Sequence, residues 1–597
     1  GIVASEITGQ MRLYELISQM ACAVSRRCWL VGSVLAALVA GALVALLVLR
    51  PWAGDEPQRF PRAAVAANGY ECASIGRSIL EKNGSAVDAA IATLFCEGTA
   101  CAQCMGLGGG FLATVYDART RTVRVLNARE RAPAATTQDM YANASSTVGG
   151  LAVAVPGELR GYGALYAELG RLPWRELVQP TADLCRTGHR VNSYMARVLR
   201  TYSDIIKAEP SMREVYVNAA TGEVWNEGDL LVEPTLARTL DIIAEEGPEA
   251  IHNGSLTEPL ARDIRDHGGI VTEDDLRSYR AEWQDPIEIP ITDEYTLYSV
   301  PLPGSGSVLA FILNMLRGWA GSAAAPLGSD LYWHRVVETF KYAYAKRTGL
   351  GDPSRFNLTY NIRELESNLS NPAWAESHRE LVDDTRTFSD WQHYGALFEG
   401  ADDHGTAHVV VVAPDGSVVS ATSTINYIWG SQRRSTNLGI MLNNEMDDFA
   451  IPHRESAYGL PPSPANMLEA GLQPLSSMVP SIVLSQSGTA RLVVGGAGGT
   501  KITTQVALIT RSTIMEGADL PSVMNRPRLH HQLLPMEVQH EEDFDAAVIE
   551  SLRKKGHATT ELGPTAGFAA IVAAARDADG YLIPQTDRRR VGSIDGF

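Results

Sequence analysis

The sequence lacks long low-complexity tracts, short-period repeats and any concentrated basic segment. Hydrophobic residues make up 45% and charged residues 20% of the 597 residues, close to globular averages, so a mainly disordered chain is not expected. The net charge of −18 argues against nucleic acid as a partner, because binding phosphates requires a concentrated basic surface. The length permits one large buried core or two packed cores.

Cysteine is also scarce, with seven residues in the chain. Five of them follow residue 50, so at least one must stay free or pair between chains; these are Cys72, Cys96, Cys101, Cys104 and Cys185. The spacing of Cys101 and Cys104 fits either a redox-active pair or half of a zinc site. No second close pair completes four zinc ligands, which favours a structural disulfide or unpaired thiols there.

One long apolar run predicts a membrane anchor. Residues 29–49 carry no charge over 21 positions and are flanked by arginines on both sides. At helical rise such a run crosses a hydrocarbon core of about 30 Å. A cleaved signal peptide is the alternative, but its apolar region would span only about 7–15 residues. We therefore predict a cytoplasmic tail at 1–28, one transmembrane helix (a signal anchor) at 29–49, and a proline-containing stalk at 50–68.

Glycosylation sequons predict on which side of the membrane the body lies. Arginines on both sides of the span are balanced, so the positive-inside rule gives no answer. Five sequons follow the span, and they begin at Asn83, Asn143, Asn253, Asn357 and Asn368. Together they predict a single-pass type II protein of the plasma membrane with an extracellular body.

Hydrophobic periodicity predicts that this body is an α/β layered enzyme. Alternating segments predict strands at 111–116, 122–127, 408–413, 417–422, 481–484 and 491–494. Ser85 and Asp88 form a capping box at the start of a helix, and a helical run begins at Thr500. Helical periodicity dominates from about 155 to 400, where no catalytic constellation is found.

Gly405-Thr406 is the strongest chemical signal in the chain. A threonine that opens a strand is ordinarily there for its β-propensity. Gly405 has no side chain, however, so the Thr406 hydroxyl can approach the Gly405 carbonyl, form an ester by N-to-O acyl shift and expose a new N-terminus on hydrolysis. An N-terminal threonine carries its own base, an α-amine with a pKa of roughly 7.7–8.0. One residue then supplies both nucleophile and base.

Two other patterns favour structural roles. His404 and His408 have the i,i+4 spacing of a helical metal pair, but they flank a predicted strand start, which favours structural or hydrogen-bonding roles. The glycines at 106–110 precede a strand, where close packing explains them.

Eight short segments occur together in order, and they carry a family resemblance. The segments are GLGGG at 106–110, NARE at 127–130, AVPGE at 154–158, TAH at 406–408, SATSTIN at 420–426, NNEMDDF at 443–449, PLSSM at 474–478 and GGT at 498–500. On these segments the chain resembles the γ-glutamyltransferases (glutathione hydrolases), which are N-terminal-nucleophile hydrolases, from Gly69 onward. The resemblance implies an αββα four-layer sandwich and a precursor cut at Gly405–Thr406. It further implies a heterodimer of a large subunit, 69–405, and a small catalytic subunit, 406–597.

The same resemblance assigns site residues. Thr406 is the expected nucleophile, Thr424 the threonine that hydrogen-bonds it, and Gly498 and Gly499 the backbone donors to the oxyanion. The α-ammonium of a γ-glutamyl donor needs acceptors, which match Asn426, Glu445 and Asp448. Its α-carboxylate needs donors, which match Arg129, Ser476 and Ser477. Asp447 lies beside a matching position and is expected to be a solvated surface group. A Cys72–Cys96 disulfide is implied as well.

The implied activity is cleavage of the γ-glutamyl bond of glutathione and its S-conjugates through an ester on Thr406. The γ-glutamyl group then passes to water or to an acceptor amino acid or dipeptide, without a metal or organic cofactor. Two alternatives remain open. One is a catalytically silent homologue that acts as a surface binding protein, and the other is a related acylase with a different acyl donor.

Overall fold

The computed structural model describes residues 57–321, 323–355, 360–398, 405–452, 460–563 and 567–597. The predicted tail, the predicted membrane span and the first part of the predicted stalk lie outside these residues, as do His404 and the sequon at Asn357. Within the described ranges, no helix combines the length and the apolar character that crossing a membrane requires. Residues 59–597 form one compact unit.

The described ranges contain 20 strands and 18 α-helices. The strands, β1 to β20, are Ala64–Ala67, Gly110–Asp117, Thr122–Ala128, His189–Arg190, Val217–Asn218, Glu223–Val224, Leu230–Leu231, Glu282–Gln284, Ile287–Pro290, Tyr295–Ser299, Gly405–Val412, Val418–Asn426, Ser481–Ser485, Ala490–Ala497, Leu529–His530, Val538–Glu541, Thr559–Leu562, Ala570–Arg576, Leu582–Thr586 and Ser593–Gly596. The helices, α1 to α18, are Cys72–Glu81, Ala86–Ala100, Glu158–Leu169, Trp174–Thr187, Ser193–Thr201, Ser203–Ala208, Pro210–Tyr216, Pro234–Glu246, Ala250–Asn253, Thr257–Asp266, Glu273–Ser278, Gly306–Arg317, Asp330–Arg347, Ile362–Ser370, Pro372–Arg379, Lys501–Thr510, Leu520–Asn525 and Ala546–Lys554.

Two large antiparallel sheets occupy the centre. The first has the strand order β20-β1-β11-β12-β2-β3-β8, and the second has the order β19-β18-β14-β13-β10-β9. The hairpin of β11 and β12 pairs Val412 with Val418 at its turn and Gly405 with Asn426 at its open end. The predicted strands are confirmed, with shifted ends, and β12 continues to Asn426. This hairpin carries Thr406 and Thr424 and lies in the middle of the first sheet.

Helices cover the outer faces of both sheets. Apolar side chains such as Val410 and Val493 fill the space between the sheets. A second core lies between the first sheet and helices that include α1 to α4. A third core lies between the second sheet and helices that include α12, α13 and α16. The order of layers is therefore helix, sheet, sheet, helix, as the family resemblance implies.

The N-terminal strand corrects the predicted stalk, which was placed at 50–68. Residues 64–67 are buried, and β1 pairs with β11 on one side and β20 on the other. The stalk therefore ends before residue 64. The sequence of β1, AVAA, has little β-propensity. The packing of the sheet therefore determines the extended conformation of this segment.

The disulfide and capping predictions are confirmed. Cys72 and Cys96 form a disulfide that joins α1 to α2, and Ser85 and Asp88 form the capping box of α2. Cys101, Cys104 and Cys185 are buried and free. Three of the predicted sequon asparagines are exposed, namely Asn83, Asn143 and Asn253.

Candidate functional site

The peptide bond before Thr406 lies between two threonine hydroxyls. Thr406 Oγ1 donates a hydrogen bond to the Gly405 carbonyl oxygen at 2.5 Å, and Thr424 Oγ1 donates to the same oxygen. Pairing of β11 with β12 is irregular between Gly405 and Ala407, which sets this carbonyl apart from the regular ladder. A Cβ on Gly405 would lie 2.3 Å from the Asn426 carbonyl oxygen, so only glycine fits. One hydroxyl is thus placed to attack this bond and the other to polarise it.

The position of Thr424 differs from its predicted role. The family pattern predicts a hydrogen bond to the nucleophile, whereas in the uncut chain Thr424 donates to the Gly405 carbonyl and accepts from the Asn426 N–H at 2.8 Å. The reason is the irregular pairing between Gly405 and Ala407, which brings the Gly405 carbonyl within reach of Thr424 on β12.

Arg590 contacts the carbonyl side of Thr406, a role that no sequence pattern predicts. Arg590 Nη1 donates a hydrogen bond to the Thr406 carbonyl oxygen. Its guanidinium is buried and stacks at 4.6 Å over the Tyr194 ring. In the sequence Arg590 ends a run of three arginines near the C-terminus, a pattern typical of a solvated surface.

The predicted donor-binding residues form a buried charge cluster. Arg129 directly follows β3, and its guanidinium donates to Glu445 and, at 2.5 Å, to Asp448. Burial lowers the pKa of Arg129, but the two carboxylates outweigh this effect and the net shift is upward. Burial also raises the pKa of the neighbouring Glu130 to about 8, so that this carboxyl is mostly protonated at neutral pH. A buried guanidinium and two buried carboxylates are therefore in direct contact.

The 3₁₀ turn Glu445–Asp448 is held by Asn443. The Asn443 side chain accepts from the Glu445 N–H at 3.0 Å and donates to the Gly108 carbonyl at 2.7 Å. Asn443 lies within a segment that carries the family resemblance, although this positioning role was not predicted. Gly108, one of the glycines at 106–110, therefore also helps to hold this turn in place.

The prediction for Asp447 is wrong. It was expected to be a solvated surface group, but its side chain is buried and accepts hydrogen bonds from Ser146 and, at 2.9 Å, from the Tyr427 hydroxyl. Both partners are far from Asp447 in the sequence, so no local pattern reveals this burial.

Asn426 carries an unsatisfied acceptor. Its backbone has φ 70°, and its Nδ2 donates to the Asn444 carbonyl at 3.1 Å. Its Oδ1 is buried and has no hydrogen-bond partner among the described residues. A buried acceptor without a donor is costly, so this oxygen is suited to receive a donor from a ligand.

Ser476 and Ser477 lie in the buried segment before β13. Ser477 Oγ accepts from Arg347 at 2.9 Å, and the Ser476 carbonyl accepts from the Ser305 hydroxyl at 2.6 Å. Arg129 Nε donates to the Pro474 carbonyl at 3.4 Å, which connects this segment to the charge cluster. Their contact with a substrate carboxylate stays a prediction.

Gly498 and Gly499 follow β14 and precede α16. Their φ angles of 131° and 61° lie in the region that favours glycine. A Cβ on Gly498 would lie 2.6 Å from the Ala569 Cα. Gly498 and Thr406 both line a cavity of about 880 Å³, so a predicted oxyanion donor and the predicted nucleophile face the same space. Its remaining walls include Tyr194, Lys501 and Arg590.

His408 has the hydrogen-bonding role that the sequence favours. Its Nδ1 lies 2.8 Å from Thr422 Oγ1, and its ring is fully buried. Burial lowers its pKa to about 3, so it is neutral at neutral pH.

Within the described ranges, one group of side chains has the spacing of metal ligands, namely His334, Glu338 and His557. His334 Nδ1 lies 2.8 Å from His557 Nε2, and the Tyr394 hydroxyl donates to Glu338 at 2.8 Å. Lys341 Nζ lies 3.4 Å from Glu338 and supplies the positive charge that the carboxylate needs. We interpret the group as a buried polar network.

Comparisons with known proteins agree on one family. The family model described as gamma-glutamyltranspeptidase matches residues 72–597. Scoloptoxin SSD14 of Scolopendra dehaani is 40% identical over 542 residues, which cover 90% of this chain and 92% of that protein. Glutathione hydrolase 5 proenzyme of Mus musculus is 36% identical over 570 residues, or 94% and 97% of the two chains. The cephalosporin acylase of Bacillus halodurans superposes with a TM-score of 0.76 over 92% of this chain and 99% of its own, and its 21% identity shows a shared fold.

Proposed function

Because the chain belongs to the gamma-glutamyltranspeptidase family, we propose that Thr406 first cuts the chain at Gly405–Thr406 and then cleaves γ-glutamyl bonds. The family makes the chain an enzyme of the γ-glutamyltransferase and glutathione hydrolase class. The main support for the cut is the pair of threonine hydroxyls on the Gly405 carbonyl.

Self-cleavage proceeds by an N-to-O acyl shift. Thr406 Oγ1 adds to the Gly405 carbonyl carbon while Thr424 stabilises the negative charge that develops on the oxygen. The C–N bond breaks, its nitrogen takes the hydroxyl proton, and the acyl group now rests on Oγ1 as an ester. Water hydrolyses the ester and leaves a Gly405 carboxylate and a Thr406 α-amine. Arg590 keeps the Thr406 carbonyl in place throughout.

The charge cluster supports an amino-acid-like acyl group. A γ-glutamyl donor carries an ammonium and a carboxylate on the same carbon, so a complementary site needs both charges close together. Arg129 offers a guanidinium to the carboxylate, while Glu445 and Asp448 offer carboxylates to the ammonium. The buried Asn426 Oδ1 supplies the further acceptor. This charge pattern favours γ-glutamyl donors over acyl groups that lack an α-ammonium and an α-carboxylate.

Turnover follows a ping-pong scheme. Thr406 Oγ1 attacks the γ-carbonyl, its α-amine takes the hydroxyl proton and gives it to the departing amine, and the Gly498 and Gly499 N–H groups stabilise the oxyanion. The leaving peptide occupies the 880 Å³ cavity beside Thr406, a volume within the roughly 300–1,000 Å³ of small-molecule sites. Water, an amino acid or a dipeptide then takes the γ-glutamyl group from the ester. Glutathione and its S-conjugates are the proposed donors.

The experiment combines electrophoresis with a donor assay. Purified protein should give two bands under denaturing conditions, with Thr406 as the N-terminal residue of the smaller, and should release p-nitroaniline from γ-glutamyl-p-nitroanilide. A correctly cut protein that repeatedly releases no product would favour the silent binding homologue. Full activity in a single uncut chain would rule out the mechanism.

The enzyme is anchored in the plasma membrane with its body outside the cell. This part of the proposal is supported by the apolar run at 29–49 and by the exposed sequons at Asn83, Asn143 and Asn253. The protein should sediment with membranes, and peptide-N-glycosidase should lower its mass in steps that disappear with Asn83→Gln, Asn143→Gln and Asn253→Gln. Resistance of the body to protease added outside intact cells, together with no loss of mass, would contradict this topology.

A further inference from the structure

Cys101 and Cys104 form a thiol pair that the proposed reaction does not use. Both follow the C-terminal end of α2, and both are buried and free. The Cys104 N–H donates to the Cys101 carbonyl at 2.8 Å, which makes the four residues a tight turn. The ends of such a turn lie within about 7 Å between Cα atoms, compatible with the roughly 4.4–6.8 Å that a disulfide spans.

One arginine connects this pair to the nucleophile. The Arg590 guanidinium, which donates to the Thr406 carbonyl, lies beside both thiols and acts to lower their pKa values. Arg590 Nε and Nη2 have no hydrogen-bond partner among the described residues, although the side chain is buried. The pair and the nucleophile therefore share one buried cation.

We propose that Cys101 and Cys104 form a reversible disulfide with a low-molecular-weight disulfide as oxidant, and that this bond lowers turnover by displacing Arg590 from Thr406. One protein thiolate attacks the small disulfide and expels one thiol, and the second protein thiolate then attacks the mixed disulfide and expels the other. The two cysteines lose two electrons and two protons, and the small disulfide becomes two thiols. The effect on turnover rests on the proposed function, whereas the disulfide does not.

The cavity at Thr406 comes close to the buried cysteine pair. Cys104 Sγ lies 4.0 Å from the Tyr194 hydroxyl, and Tyr194 and Arg590 both line the cavity at Thr406. The Tyr194 side chain therefore connects the cysteine pair to the cavity that we assign to the leaving group. Burial raises the pKa of both thiols, which leaves them protonated at neutral pH, so exchange is slow and calls for long incubation.

Bond formation changes the surroundings of Arg590. The two sulfur atoms must approach to about 2.05 Å, well inside their non-bonded contact distance. The guanidinium lies beside these sulfurs, the Tyr194 ring and the Glu97 carboxylate, and we expect the approach of the sulfurs to displace it. A displacement of about 1 Å at a catalytic group costs up to about 100-fold in rate. Because Arg590 donates its hydrogen bond to Thr406 and not to the charge cluster, kcat should change more than KM.

The test uses the cut, full-length protein and 2-hydroxyethyl disulfide, which has no γ-glutamyl group and so cannot act as a donor. After incubation and alkylation, mass spectrometry of the peptide with residues 101–104 should show both cysteines protected and two hydrogens lost. The kcat for γ-glutamyl-p-nitroanilide should fall about tenfold or more with KM changed by less than about twofold. Treatment with 2-mercaptoethanol should restore the original kcat while the Cys72–Cys96 disulfide stays intact.

Matched variants separate this pair from the other thiol. The double variant Cys101→Ser, Cys104→Ser should lose the response to oxidant, and Cys185→Ser should keep it. If the double variant does not fold, the mass and kcat of the oxidised and re-reduced wild type decide the question. Three outcomes overturn the proposal: both thiols stay open to alkylation, the disulfide forms with unchanged kcat, or the double variant is inhibited as strongly as wild type.

Discussion

Thr406→Ala is expected to give a single uncut chain without γ-glutamyl turnover. The alanine has no hydroxyl to attack the Gly405 carbonyl, so the α-amine that serves as base is never released. Loss of the nucleophile in a hydrolase that acts through a serine lowers kcat by about 10⁶-fold, and we expect at least about 10⁴-fold here. Denaturing electrophoresis and p-nitroaniline release measure the two effects on the same preparation.

Two control variants separate chemistry from folding. Thr406→Ser keeps a hydroxyl at this position and should still cut itself, although at a different rate. Thr424→Val removes only the second hydroxyl on the scissile carbonyl, which corresponds to an oxyanion donor worth about 2.7–4 kcal/mol, so cleavage should slow by roughly 100- to 1,000-fold. Rapid cutting of Thr424→Val would show that another group polarises the Gly405 carbonyl.

Arg129→Ala is expected to raise KM steeply for γ-glutamyl donors. It removes the cation that would face the donor carboxylate and leaves Glu445 and Asp448 buried without their counter-charge. Truncating one partner of a buried charged contact costs about 2–5 kcal/mol, or roughly 30- to 4,000-fold in kcat/KM. Initial rates over a range of γ-glutamyl-p-nitroanilide concentrations give the separate changes in KM and kcat.

Neighbouring residues provide the controls for this variant. Arg131 is half-buried and pairs with Glu282 at 2.7 Å, so Arg131→Ala removes a nearby arginine outside the cluster and should leave KM unchanged. Arg129→Lys keeps the charge but not the two-pronged geometry and should fall between wild type and alanine. Self-cleavage should persist in all three, which would show that they fold. An unchanged KM in Arg129→Ala would remove the donor site from this cluster.

Local patterns explain why the elements around Thr406 are predictable. Alternation of apolar residues identifies β11 and β12, and a glycine before a strand-opening threonine predicts the bond proposed to be cut. The disulfide and the donor residues came from the family resemblance, which grouped Arg129 with Ser476 and Ser477 and did not predict its contact with Glu445 and Asp448. Their roles towards a substrate stay predictions.

Contacts between distant parts of the chain explain what the sequence did not predict. Arg590 reaches Thr406 across 184 positions, and it does so only because β20 and β11 both flank β1. Asp447 is buried by Ser146, which lies 301 positions away. The short strand β1 has no pattern of its own. In each case tertiary packing determines the contact or the conformation, and local sequence patterns do not reveal it.

The strand order has a consequence for the fate of the two proposed pieces. The first sheet interleaves β1, β2, β3 and β8 from before the cut with β11, β12 and β20 from after it, and the second joins β9 and β10 to β13, β14, β18 and β19. Separating the pieces would break both ladders and expose all three apolar cores, which amounts to unfolding. We therefore expect that hydrolysis of this peptide bond does not allow the two pieces to dissociate and reassociate. If the chain is cut as proposed, we expect its specific activity to stay the same on dilution, because the two pieces remain one folded unit.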